Sequence, residues 1–424
     1  MVLDLSLFIA TYVLMIALPR LRAFIAISAA VIFILAGLLP LNLVVAAIDW
    51  NVIMMITGIM IVVNLFIDSR MPARLADLIT ARVPDVRWAI IALSIFAGLV
   101  SAFIDNVATV LMVAPVALTM AERLKISPVP GIIAISVTSN LEGAATLVGD
   151  TTSILLGGYA GKDFLDFFWF KGRPGLFWIS QAGLIAVVLV FLILFRHDRQ
   201  PVKAEQPTVV TTYFPSGLLI ATVLLLIAAS FIPNKPAISN GVICLAMMFA
   251  GLLEKLIRHR EMAVLRRFLL GFDYITLLLL CSLFIMIGGI RQAGVIDALA
   301  DLFVRIGGGS VFGMYTLIVW ASVLISAFID NIPYVATMLP VVAGIAAALN
   351  VDPNVFYFGL LAGSTLGGNL TPIGASANIM GIGILRSSGY TVKNGTFMRI
   401  GVPSTLAAVS VAYVLIWLLF GHSA

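Results

Sequence analysis

SAFIDN occurs twice in this chain, at Ser101–Asn106 and again at Ser326–Asn331. The shift of 225 residues that superposes the two copies also lays Pro115 on Pro340, Gly143 on Gly368, Thr146 on Thr371 and Gly149 on Gly374. A shift of 224 lays the LADL of Leu75–Leu78 on that of Leu299–Leu302. One isolated match is cheap in a biased composition, but an ordered series in a single frame is not. The chain is therefore a duplication, and the unit begins no later than the helix before the six-residue match. Repeats of this kind in membrane transporters are either parallel or inverted.

The medium around the duplication follows from composition. Of 424 residues, 62% are hydrophobic and 11% charged, against about 45–50% and about 25% in soluble domains. Apolar runs such as Val52–Ile67, Gly175–Phe195, Tyr274–Ile290 and Gly401–Phe420 reach or approach the roughly 17–25 residues that cross a bilayer. The lipid bilayer is the expected surrounding. The first run, Leu5–Pro19, has no Lys or Arg before Arg20 and reads as a retained span, not a secretory leader. The net charge of +5 does not call for nucleic acid, because lipid headgroups and the positive-inside rule account for basic loops. Cys244 and Cys281 lie in apolar runs and cannot make a four-ligand zinc site. His197, His259 and His422 sit beside charges or at the chain end, which argues against a buried histidine relay. No GxSxG or HExxH constellation is present, so an intramembrane enzyme has no support, and no cofactor or metal is expected.

The expected organisation is a first repeat over 1–200, a linker over 201–214 and a second repeat over 215–424. Each repeat is expected to hold a re-entrant hairpin (about 88–122 and about 310–348) and a broken helix (about 131–160 and about 353–385). Counting ten crossings, with neither hairpin crossing, leaves Lys162, Lys171, Arg173, Lys235, Arg291 and Arg305 on one face and the other nineteen of 25 basic residues on the opposite face. The richer face is then cytoplasmic. Both termini fall outside, the hairpins enter from opposite sides, and the repeats are inverted. The expected location is the plasma (inner) membrane of the cell.

Ionisable groups at membrane depth are functional candidates by default. Asp105 and Asp330 are predicted at the hairpin tips, where each can also cap the second arm, and Glu142 and Asp150 fall in the first break, Ser139–Ser153. Glycines and Pro372 interrupt both breaks, and unwound backbone is tolerated at membrane depth only where protein or a wet cavity satisfies it. Two tips and two breaks are therefore expected to form one midplane site. The candidates for substrate binding are Asn106, Thr109, Asn331 and Thr337 from the hairpins, with Asn140, Thr146, Thr151, Asn369, Thr371, Ser376 and Asn378 from the breaks. Asp105, Glu142, Asp150 and Asp330 are the candidates for ion coupling.

The paired Asp-Asn-x(8)-Pro motif, with the breaks GAATLVGDTTS (Gly143–Ser153) and GGNLTPIGASAN (Gly367–Asn378), resembles the ion transporter superfamily, and within it the branch of arsenite permeases, the melanosomal P protein and plant silicon effluxers. The resemblance covers nearly the whole chain. It implies an all-α polytopic fold with a scaffold domain and a mobile transport domain, and alternating access by an elevator-like movement. Two departures stand out: Glu142 occupies a place where relatives often have Gly, and the GDTT of Gly149–Thr152 is similar to the sodium/proton antiporters of the superfamily.

Four carboxylates and no Lys or Arg are expected in the site. A di- or tricarboxylate would then meet repulsion of about 4 kcal/mol per like-charge pair at about 4 Å and an effective dielectric near 20. A small inorganic substrate, a neutral polyhydroxy acid such as arsenous, antimonous or silicic acid, suits amides and hydroxyls better. The expectation is proton-coupled efflux of arsenite or antimonite, the coupling ion being H+ or, on the same carboxylates, Na+. The alternatives are a Na+/H+ antiporter or a transporter of silicate or another oxyanion. The sequence leaves open a homodimer and a soluble ATPase partner docking near Arg258–Arg267, a basic stretch also explained as an interfacial helix.

Overall fold

The computed structural model describes residues 2–18, 21–202, 208–259, 273–306 and 309–421. Arg20, Lys203, Arg260, Arg266, Arg267 and His422, and with them most of the proposed interfacial helix, lie outside the described residues. In order, the helices are α1 (Val2–Ala17), α2 (Arg22–Leu35), α3 (Leu41–Ala47), α4 (Trp50–Asp68), α5 (Met71–Thr80), α6 (Val86–Ser101), α7 (Asn106–Leu124), α8 (Val129–Gly143), α9 (Thr151–Ala160) and α10 (Leu176–Leu194). The second half follows with α11 (Phe214–Ser230), α12 (Ser239–His259), α13 (Tyr274–Gln292), α14 (Val295–Ile306), α15 (Val311–Ser326), α16 (Asn331–Leu349), α17 (Asn354–Gly367), α18 (Ser376–Ser387) and α19 (Asn394–Phe420). A two-stranded ribbon, β1 (Trp169–Phe170) with β2 (Arg173–Pro174), precedes α10.

Seven of these helices are long and apolar enough to span a bilayer: α4, α7, α10, α12, α13, α16 and α19. Two of the seven, α7 and α16, are the second arms of the hairpins. The ten crossings read from sequence are made up by the shorter apolar helices α1, α2 and α11 and by the broken pairs α8–α9 and α17–α18. Exposed Ile185, Leu189 and Ile193 on α10 and Ile220 and Leu224 on α11 form part of an apolar exterior that suits lipid.

Helix α10 gauges the topology. Its nineteen residues rise about 28 Å. Just before it, Lys171 in the ribbon pairs with Asp352 at the mouth of the second hairpin. Just after it, the carbonyls of Asp198 and Gln200 accept from the backbone N–H groups of Arg87 and Val86 at the mouth of the first. The two mouths therefore lie at opposite ends of the molecule, which is an inverted arrangement. Other contacts sort the same way: Thr208 with Asp77 and Lys255 with Asp68 at the first end, and Lys235 with Asp163 and Arg173 with the Leu419 carbonyl at the second.

The helices pack into two bodies. In one, α4 lies along α11 and α12, and α2 along α1 and α13; in the other, α6 and α7 pack on α8, α15 and α16 on α17, and α10 on α19. Helices α5 and α14 connect the bodies by lying against the hairpins. The second body holds both hairpins and both broken helices, the membership expected of a transport domain. The breaks are seated by glycine: a Cβ on Gly149 would lie 2.8 Å from the Ala102 carbonyl oxygen, and one on Gly374 would lie 2.7 Å from that of Ala327. Only a residue without a side chain lets the unwound segment approach the hairpin so closely.

Candidate functional site

The two tips are built alike. Asp105 ends the first arm and its carboxylate accepts from the N–H groups of Val107 (3.0 Å) and Ala108 (3.1 Å), while Asp330 accepts from Ile332 N–H (3.1 Å). Both cap their second arms, as a tip Asp does. Asp150, by contrast, makes no side-chain cap to α9. Its carboxylate accepts from Thr152 Oγ1 (2.8 Å) and from Asn331 Nδ2 (3.0 Å), so the second tip reaches into the first break.

From the first tip a line of amides runs inward. Ser101 Oγ donates to Asn106 Oδ1 (2.8 Å), Asn106 Nδ2 to Asn140 Oδ1 (3.2 Å), Asn140 Nδ2 to Asn369 Oδ1 (2.8 Å), and Asn369 Nδ2 to the Val137 carbonyl (3.0 Å). Asn378 Nδ2 donates to the Gly368 carbonyl at 3.0 Å. These are buried polar groups, and the line satisfies them mutually, which is what membrane depth requires.

A cavity of about 650 Å³ lies over this floor. Asp105, Asn106, Asn140, Asp150, Thr151, Asn331 and Ser376 line it, joined by Arg22, Asn64, Asp273 and Thr276 and by apolar residues including Met60, Val63 and Ile332. Of the lining residues, Arg22 opens α2, Ile67 lies at the end of α4 next to Asp68 and Asp273 precedes α13, so the cavity faces the end that carries Lys255 and Asp198.

Several expectations need correction. The site does hold a cation: Arg22 Nη1 pairs with Asp330, which also accepts from Ser376 Oγ at 3.1 Å. Thr146 and Thr371 do not line the cavity; each donates its hydroxyl to a hairpin carbonyl, of Ala102 and Ala327, and so pins a break to a tip. Thr337 donates to the Pro333 carbonyl (3.0 Å) and meets Tyr12. Thr109 is fully buried one turn into α7, its hydroxyl without a partner among the described residues. Asn369 and Asn378 belong to the floor beneath the cavity. Glu142 lies behind it, against α10, its Oε2 accepting from Gln181 Nε2 at 2.6 Å.

Sequence reasoning missed Arg22, Asn64 and Asp273. Arg22 opens α2, where the helix dipole disfavours a cation, and Asn64 interrupts an apolar run; both were signals. Asp273 caps α13 through Thr276 N–H at 3.0 Å.

Inverted halves, two re-entrant tips and two unwound breaks around one cavity are the build of a membrane transporter of the ion transporter superfamily. The comparisons agree: the chain belongs to the CitMHS family, described as "Citrate transporter", whose model matches residues 12–363 and 238–424. An uncharacterized transporter of Mycobacterium tuberculosis is 33% identical over 98% of both chains. The P protein of Homo sapiens is 25% identical over 89% of this chain and 54% of its own length. Among solved structures, the Alcanivorax borkumensis YdaH transporter, described as having an unusual topology, aligns with TM-score 0.62 at 15% identity, covering 90% of this chain and 88% of that one. Neisseria gonorrhoeae MtrF, described as illuminating a class of antimetabolite efflux pumps, aligns with TM-score 0.54 at 14% identity over 87% and 81%.

Proposed function

We propose that this protein exports a small inorganic oxyacid, arsenite or antimonite, in exchange for protons, by an elevator-like displacement of the hairpins and broken helices past the scaffold. The observation that carries the reading is the cavity lining. Asp105, Asp150 and Asp273 face it with the amides of Asn106, Asn140 and Asn331, and its cation, Arg22, is already engaged by Asp330. A neutral polyhydroxy acid donates to carboxylates and accepts from amides. A free polyanion meets like charge at about 4 kcal/mol per close pair. The carboxylates take up protons as the substrate leaves, and the cavity faces the end assigned to the cytoplasm by its basic residues. Sodium on the same carboxylates gives the Na+/H+ antiporter alternative.

A second reading, uptake of citrate or a similar carboxylate, is favoured by Arg22, whose guanidinium is the kind of group that binds carboxylates in bidentate fashion, and by the family's description. Everted membrane vesicles with an imposed pH gradient separate these. Gradient-dependent arsenite or antimonite flux supports the first reading, and sodium flux alone makes the protein an antiporter. Citrate flux that disappears in Arg22→Gln selects the second.

A further inference from the structure

Glu142 is fully buried. Its Oε2 accepts from Gln181, and its Oε1 has no partner among the described residues. The seat exists because α6 carries Gly98 opposite it: a Cβ there would lie 3.1 Å from Glu142 Cγ. In the second repeat the superposable positions are Val323 and Gly367, and a Cβ on Gly367 would lie 2.5 Å from the Val323 carbonyl oxygen. In the second half the two helices thus meet backbone to backbone with no room for a side chain, whereas the first half opens the same contact and seats a carboxyl group in it. The packing of this helix pair does not ask for an acid.

Among the described residues no counter-ion is at hand. Helices α10 and α17 carry no charged residue, α6 carries only Arg87, three turns from Gly98, and α19 and α18 carry only Arg399 and Arg386. The charges of α7, Glu122 and Arg123, stand at its far end. An ionised Glu142 would be a buried charge with one neutral donor, the costliest arrangement for a carboxylate. The protonated acid needs no partner ion and keeps its bond to Gln181.

We propose that Glu142 is a proton-binding site separate from the central cavity, protonated in the arrangement seen here and exchanging its proton with water in another position of the transport cycle. The proposal deepens the proton-coupled reading above and rests on it. Its place fits the role: it lies behind the cavity, between the first hairpin and α10, with one carboxyl oxygen held by Gln181 and the other left for a proton.

The test is infrared difference spectroscopy of the full-length protein in liposomes at neutral pH, without substrate. A protonated-carboxyl band is expected in wild type, absent in Glu142→Gln and retained in Asp150→Asn. Gln181→Leu should shift its frequency, and this guards against a misfolded first variant. Absence of any Glu142-dependent band overturns the proposal. In vesicles, one coupled proton and a gradient of about one pH unit support about tenfold accumulation of arsenite. Glu142→Gln should lose that factor and its pH profile should flatten. A profile unchanged in shape and merely lower would mark Glu142 as structural and overturn its coupling role. A Glu142 band with no arsenite flux in wild type would sink the substrate reading and leave this proton site supported.

Discussion

The two hairpin tips share six residues and differ in what they hold. Among the described residues, Asp105-Asn106 bonds within its own repeat, to the first turn of α7, to Ser101 and to Asn140. Asp330-Asn331 reaches out: to Arg22 on α2, to Asp150 in the other repeat and, two residues further along α16, to Tyr12 on α1 through the Pro333 carbonyl. One tip is a self-contained half of the cavity wall. The other ties the cavity to the scaffold and the first break. A duplicated sequence can thus produce equal frames with unequal chemistry, because the second tip takes partners on α1, on α2 and in the first break that the first tip does not.

The same substitution in both tips breaks this comparison most sharply. Asn331→Asp sets a second carboxylate against Asp150, a repulsion of about 4 kcal/mol, roughly a thousandfold in an equilibrium. Asn106→Asp keeps the bond from Ser101 and loses only the one to the neutral Asn140 Oδ1, and should cost transport less than about tenfold. Initial rates in vesicles read both, and equal losses would erase the distinction. Next in size, Gly98→Val overpacks the seat of Glu142 and should cost about 1–3 kcal/mol of stability. Adding Glu142→Gly copies the Val323–Gly367 pair and should recover most of it, measured by thermal unfolding in detergent; additive losses would show that the halves are not interchangeable there.

Smaller effects sharpen the picture. Asp330→Asn leaves Arg22 without its carboxylate and should cost about 1–3 kcal/mol, while Asp105→Asn weakens a cap worth about 1 kcal/mol. Tyr12→Phe removes a bond of about 1 kcal/mol that the first hairpin has no counterpart for, visible as a small drop in unfolding temperature without loss of the fold.

The frame of the fold was legible in the residues, because helix breaks and tips need glycine, proline and small polar groups at fixed spacing. α6, α7, α15 and α16 begin or end within a few residues of their predicted bounds. The site was legible only in part. Thr146 and Thr371 looked like ligands because they repeat, yet the repeat preserved them as pins for the breaks. Arg22 read as one more cation of the basic face, since nothing in a single sequence says that α2 begins beside the second tip. Asp273 stands just before an apolar run, where an acid is an ordinary helix cap. Side chains contributed by the scaffold lie outside the duplicated motif, so no internal match could reveal them.

The central claim is that the halves meet in one site through Asn331 and Asp150. The double variant Asn331→Asp with Asp150→Asn exchanges the amide and the carboxylate while keeping the pair. Transport at least about tenfold above that of Asn331→Asp alone is the predicted result; a double variant no better than the product of the two single losses would contradict the claim.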